Sequence, residues 1–226
     1  MAMLGSGVLA IWNGMKPGYE DEFTRWHIRE HIPERVGVPG FLRGRRYQAV
    51  DGHPKFFNFY ETRTAEDLNS AAYKERLNNP TPWTLATVKE FTDTSRTVCD
   101  VIRSEGKGCG PFIETIEFDL AAAQNDTSKA LQDLLDQVRQ GDGMVATHLL
   151  RGQVGRDQTL TEEKKLRGVP DKEVAWLVLL EAIEASVLQG VRKPSLTTQA
   201  LEDLGASNIK RGLYRLEYQL SKEDLQ

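Results

Sequence analysis

The chain is poor in cysteine, in excess charge and in long apolar runs, and each shortage excludes a class of protein. Two cysteines, Cys99 and Cys109, in 226 residues cannot build a disulfide framework or a metal knuckle. They suit a reducing cytoplasm, which is the expected location. Lys+Arg 29 against Asp+Glu 33 leaves a net charge of −4. A protein that tracks phosphates needs a basic excess or a basic face, so nucleic acid is not an expected partner. The one dense basic run, Arg43, Arg45 and Arg46, reads as a solvated or barrel-lining strand. The longest notable apolar run, Val174–Leu180, is closed by Glu173 and Glu181 and is far too short to span a bilayer. No charged residue precedes Lys16, so the first residues lack the basic start of a signal peptide, and no membrane is expected. Gly 19 and Pro 9 are an ordinary share, which excludes collagen and low-complexity disorder. At roughly 150 residues per domain, the length gives about one and a half domains.

What is present is a repeated order of elements. Gly7–Trp12 is apolar and β-prone, and Asn13-Gly14 and Pro17-Gly18 mark the loop after it. From Tyr19 to about Ile32 the period is helical, with Phe23, Trp26, His27, Glu30 and His31 at three- and four-residue steps. Pro33 lacks a backbone donor and should kink or restart this helix, and Pro39-Gly40 ends it. Phe41–Val50 and Lys55–Glu61 read as a hairpin around Asp51-Gly52. Thr64-Ala65-Glu66-Asp67 is a capping signature for a helix to about Leu77. A second helical piece runs to about Phe91, and Thr94–Ser104 is a fourth strand.

After a Gly-rich linker at 105–111 the order recurs. Phe112–Leu120 reads as a strand, and the 126–128 cap starts a helix to Val138. Met144–Val154 and Val174–Ile183 read as strands, with a polar connection between them and one helical turn at Glu162–Leu166. A helical stretch broken at Pro194 and a strand at Ile209–Leu220 complete the chain. The expected fold is therefore α+β: two tandem ferredoxin-like βαββαβ units, 1–104 and 112–226. Each antiparallel sheet carries helices on one face and must cover the other. Two such sheets facing each other make one barrel wrapped by helices.

Residues 26–47 read WHIREHIPERVGVPGFLRGRRY. This resembles the dimeric α/β-barrel superfamily, in particular its EthD-like and related uncharacterised branches. The matching pattern is aromatic-His, then Glu-His-Pro, then Pro-Gly-Phe leading into a basic strand. It falls here on Trp26, His27, Glu30, His31, Pro33, Pro39, Gly40, Phe41, Arg45, Arg46 and Tyr47, with Ile32 set between His31 and Pro33. The resemblance covers the first half; the second half agrees in topology alone. It implies the fold more than the activity, because the superfamily holds cyclases, quinone-forming monooxygenases, isomerases, haem enzymes and proteins without known activity.

His27 and His31, four residues apart, differ by about 40° around a helix, so both project from one face beside Trp26. A histidine bordering a helix–sheet cleft can move a proton near neutral pH. Trp12, Trp26, Tyr47, Phe57, Phe59 and Tyr60 offer aromatic walls, and Arg43 or Arg45 could meet a carboxylate or enolate. The expected protein is an enzyme needing no cofactor, acting on a small aromatic or polyketide-like molecule through His27 or His31. Cyclisation, isomerisation, decarboxylation or cofactor-free oxygenation all fit. The competing reading is a non-catalytic small-molecule-binding or stress-response barrel, in which the histidines only pack.

His27-Ile28-Arg29-Glu30-His31 also matches the inverted zinc-protease motif, which needs a third ligand from a distant helix; the kink at Pro33 and the β-rich context argue against metal. His53 reads as a surface loop residue. His148, the one histidine of the second half, reads as a satisfied core residue on a strand face turned to the barrel or to its pocket, and would have to serve any haem there. Helical or edge surface that the tandem barrel leaves over would serve a homodimer.

Overall fold

Strands such as Phe56–Thr62 and Trp176–Ala182 are buried at every position, so both faces of the sheet must be covered, and the chain meets this demand by closing the sheet on itself. The computed structural model describes residues 3–120, 125–155, 161–167, 172–193 and 195–225. The side chains of 126–128, read as a cap, and Pro194 lie outside the described residues. The first half contains β1 (Gly7–Met15), β2 (Phe41–Asp51), β3 (Phe56–Thr62) and β4 (Phe91–Gly106). The second contains β5 (Phe112–Leu120), β6 (Met144–Gly152), β7 (Trp176–Ala182) and β8 (Ala206–Ser221). The strand order β1-β3-β2-β8-β5-β7-β6-β4 closes into a barrel, and every strand pair is antiparallel. Each half keeps the ferredoxin-like order, β4-β1-β3-β2 and β8-β5-β7-β6, and the halves join along β2–β8 and β4–β6.

The helices lie outside. The first half carries α1 (Glu20–Trp26), α2 (Ile32–Gly37), α3 (Ala71–Asn78) and α4 (Pro82–Val88). The second carries α5 (Asn125–Arg139), α6 (Glu162–Arg167), α7 (Ala185–Val191) and α8 (Thr198–Asp203). Three apolar layers result. Val8, Ala10, Trp12, Phe57, Ile113 and Leu179 are part of the barrel interior. Leu9, Ile32, Phe41, Tyr60 and Tyr73, with Phe23, Trp26 and Phe56 nearby, pack the first-half helices on the sheet. Ile116, Phe118, Leu135, Val178 and Leu188 do so in the second half. Among the described residues no helix is long and apolar enough to cross a membrane.

The stretch around Pro33 restarts as expected, through a device the periodicity does not show. His27–His31 form one π-helical turn between α1 and α2, and the Ile32 amide donates to the His27 carbonyl. Pro33 has no N–H, and its ring would crowd the carbonyl four residues back in a regular helix. The wider turn relieves that crowding and lets α2 continue from α1. The helix read from Ala65 to Leu77 splits in two. Thr64 and Asp67 form the capping box on a short 3₁₀ turn, Ala65–Asn69, and Ser70 then caps α3 by accepting from the Tyr73 amide.

Gly40, which ends the helical stretch, has φ +96°, and a Cβ there would sit 2.3 Å from Asp67 Oδ1. Its carbonyl accepts from the Arg63 amide. Gly40→Ala should therefore cost about 1–2 kcal/mol from the left-handed backbone alone, more if Asp67 is pushed out of the capping box. Urea unfolding of the variant checks this; an unchanged midpoint would refute it.

Candidate functional site

Because successive strand residues face opposite ways, the predicted site residues separate into two groups. Trp26, His27 and His31 lie on the helical side of the first-half sheet. Trp12, Arg45, Tyr47, Phe57 and Phe59 lie on the other side, inside the barrel. The single aromatic pocket expected from these eight residues is therefore corrected: the sheet divides them, and the five interior residues do not wall the histidine cleft.

On the helical side, the π turn places the two imidazoles side by side, with ring centroids 5.5 Å apart and planes 25° apart. Trp26 lies 4.2 Å from His31 and Phe23 5.0 Å from His27. Both histidines are buried. His27 is held from two sides. Arg46 Nη1 approaches its Nδ1 at 3.4 Å, and Tyr60 Oη lies 3.2 Å from its Nε2. Arg46 is itself fixed, donating to Glu217 at 2.9 Å and Thr24 at 2.9 Å, with its guanidinium over the Phe23 and Phe56 rings. Burial, and then the Arg46 and Arg35 charges, hold the His27 pKa well below the usual histidine value, so the ring is neutral. Glu30, the acid of the zinc-protease-like motif, accepts hydrogen bonds from Thr81 and Thr84. Trp26 Nε1 donates to the same Thr84 hydroxyl at 3.2 Å.

A cavity of about 40 Å³ opens beside this cluster, lined by Trp26, His31, Arg35, Tyr60, Tyr73 and Glu163 among others. His31 reaches it; His27 is not part of its wall. A second cavity of about 120 Å³ lies further along the same side, lined by Leu68, Val98, Gln153 and Glu173 among others, and Arg96 borders both. Glu163 belongs to α6, an element of the second half, and pairs with the buried Arg35 of α2. Leu166 of α6 packs against the cluster containing Trp26 and Val88. The second half thus closes the first-half cleft. The sequence pattern does not mark Arg35, Arg46, Tyr73 or Glu163 as site residues. Arg46 sits in the basic run without distinction from Arg45, and nothing local in α6 announces a contact 128 positions away.

Inside the barrel, the arginines expected to meet a substrate anion are paired internally. Arg43 and Arg45 share Glu61, at 2.8 Å and 2.9 Å, and Arg45 also donates to Glu181 at 2.9 Å and to Tyr47 at 3.1 Å. His148 points inward, as expected, and both ring nitrogens are engaged, with Glu181 at 3.1 Å and Ser104 at 2.9 Å. Trp12 packs tilted against Phe57 with centroids 4.7 Å apart, and Arg45 lies 4.1 Å over Phe59. These residues form a packed core with a charged end. His53 is exposed, 3.6 Å from Asp93.

No family model and no curated protein matches the chain in sequence. Solved structures match it in shape over nearly its whole length. An anthrone oxidase-like protein superposes with a TM-score of 0.66 at 16% identity, covering 97% of this chain and 94% of that one. A candidate monooxygenase from Fusobacterium nucleatum gives 0.60 at 10% identity, covering 97% and 96%. A ferredoxin-fold protein from Listeria monocytogenes, related to antibiotic biosynthesis monooxygenases, gives 0.50 at 9% identity, covering 96% and 97%. The chain is thus a ferredoxin-like α+β barrel, similar to these proteins in fold. At such identities the likeness extends to architecture and no further.

Proposed function

We propose that the cleft between α1–α2 and the first-half sheet binds a small aromatic or polyketide-like molecule, and that the protein is a cofactor-free enzyme of the cyclase, isomerase, decarboxylase or monooxygenase kind. The observation that carries this reading is a cavity walled by an imidazole, a phenol and an indole, His31, Tyr60 and Trp26, beneath an element that can close it. Of the two histidines, His31 is the one that moves a proton, because it alone reaches the cavity. An aromatic ring would lie against Trp26, and the Arg35–Glu163 pair would exclude water above it. As it stands, the cavity has room for a water, whereas an apolar cavity of about 150 Å³ takes benzene. Binding therefore requires α6 to yield, or the two cavities to join past Arg96. The names of the anthrone oxidase-like and monooxygenase-related structures agree with this chemistry.

The EthD-like branch and the tandem fusion of two units, 1–104 and 112–226, around a linker at 105–111 belong to the same reading. The tandem arrangement has positional support: Glu61 is the sixth residue of β3 and Glu181 the sixth of β7. Two residues before each glutamate, Phe59 faces Arg45 and Leu179 faces His148 across the neighbouring strand. The free thiols Cys99 and Cys109 suit a cytoplasmic setting.

The small volume of the cavity favours the second reading, a non-catalytic barrel. A thermal-shift screen with phenols, quinones and aromatic acids decides between them. Ligand at about a hundred times Kd stabilises by roughly 2.7 kcal/mol, or about 5–10 °C for a chain of this size. The shift should weaken in His31→Ala. No shift with any compound would overturn the enzyme reading in favour of the structural one.

A further inference from the structure

The two neighbours of His27 decide which of its nitrogens carries the proton. Arginine donates and never accepts, so the nitrogen facing Arg46, Nδ1, must be the bare one. In a neutral imidazole the proton then sits on Nε2, which faces Tyr60 Oη at 3.2 Å. Nε2–H donates to that oxygen. The Tyr60 hydroxyl proton has no acceptor in His27 and must be directed elsewhere. Tyr60 lines the cavity beside His31, and His27 does not. The chain of donors therefore runs one way, from Arg46 through His27 to Tyr60, and its free end is a phenolic O–H at the cavity wall. Glu217 and Thr24 fix the start of the chain by holding Arg46, and the Phe23 ring stacked on His27 fixes its middle.

Resting on the reading above, we propose that Tyr60 is the substrate-oxygen donor of this cleft: its hydroxyl hydrogen-bonds the enolate or phenolate oxygen of an enolisable or phenolic aromatic substrate, while Arg46 and His27 are positioning residues that hold the hydroxyl outward. Tyr60 keeps its proton throughout, because burial pushes its own pKa far above the ordinary phenol value. The assignment separates the two histidines. His31 exchanges a proton with the substrate, whereas His27 acts only through Tyr60. It also narrows the substrate class to molecules with an oxygen that gains negative charge when a proton leaves.

The test uses 4-nitrophenol, whose absorbance reports its own ionisation, with the whole chain. Bound to the wild type it should ionise at lower pH than in free solution. A hydrogen bond to a charged oxygen changes the equilibrium roughly tenfold or more, so Tyr60→Phe should remove at least that much of the shift. His27→Gln keeps an acceptor for Arg46 and an N–H for Tyr60 and should retain the shift; His27→Leu should lose it as Tyr60→Phe does. Thermal melting confirms that each variant is folded. Nitrophenol bound equally ionised in wild type and Tyr60→Phe would overturn the donor assignment while leaving the cleft in place. Gln and Leu variants that behave alike would overturn the positioning role of His27. No binding to the wild type, with no response to any phenol in the thermal screen, would overturn the cleft reading itself.

Discussion

Arg45→Ala is expected to destabilise the protein by about 3–5 kcal/mol, a fall of about 6–20 °C in Tm. Arg45 is fully buried and joins two buried carboxylates of different halves, Glu61 and Glu181. Removing the guanidinium leaves two anions with too little positive charge inside a barrel end. Glu61 would still have Arg43, and Glu181 would still have His148 and the Gly110 amide. These partners limit the damage without replacing the cation that lies between the acids. The variant also loses the contact over Phe59 and the bond to Tyr47. Arg45→Met with Glu181→Leu should recover part of the loss, because replacing a buried ion pair by apolar groups is often neutral whereas breaking it is not. Denaturant unfolding of the single and double variants checks this. A single-variant cost under about 1 kcal/mol would mean that water reaches the barrel end.

The second large effect is a loss of stability in acid, in two stages. His27 is neutral in the folded protein because of burial and then the Arg46 and Arg35 charges, so its folded pKa lies well below the ordinary 6.5. A depressed histidine gives stability that is present above 6.5. As the pH falls below 6.5 the unfolded chain takes up a proton that the folded one refuses. Stability then declines by up to about 1.4 kcal/mol per pH unit while the folded ring stays neutral. Glu181 follows. Burial alone would raise its pKa, but Arg45, His148 and the Gly110 amide together lower it from 4.5 to about 2. Its contribution, about 3 kcal/mol, is present above 4.5 and lost between there and about 2. Unfolding free energy measured from pH 8 to pH 3 should show both declines. Glu181→Gln should make the decline below 4.5 shallower and leave the one that begins near 6.5. A wild-type profile flat from pH 8 to pH 5 would contradict the neutral, buried His27.

Much of the fold was legible because it follows from local periodicity. Phe112–Leu120 appears as read, and β1, β2, β3 and β6 differ from expectation by a few residues at their ends. The capping signature at Thr64 holds, though the helix it begins is one 3₁₀ turn before Ser70 starts α3. The face shared by Trp26, His27 and His31 holds as well, since four-residue spacing keeps side chains together in an α turn and in the wider π turn alike.

The candidate site was legible only in part. Arg45 and Arg46 are adjacent and chemically identical, yet one ties the barrel interior together and the other holds His27 from the opposite face. Composition treats Phe57 and Tyr60 as equal aromatic walls, but their odd separation along β3 sends one into the barrel and the other to the cleft. By itself, the sequence determined the order of elements, the doubled α+β plan, the ferredoxin-like halves and the single helical face that carries both histidines, because these depend on patterns a few residues long. Only the tertiary structure decided which side of the closed sheet each aromatic or arginine serves, that α6 of the second half reaches Arg35 of the first, and that Glu61, Arg45, Glu181 and His148 meet at one barrel end. Those outcomes depend on strand register, on barrel closure and on contacts between residues more than a hundred positions apart, and no local pattern encodes them.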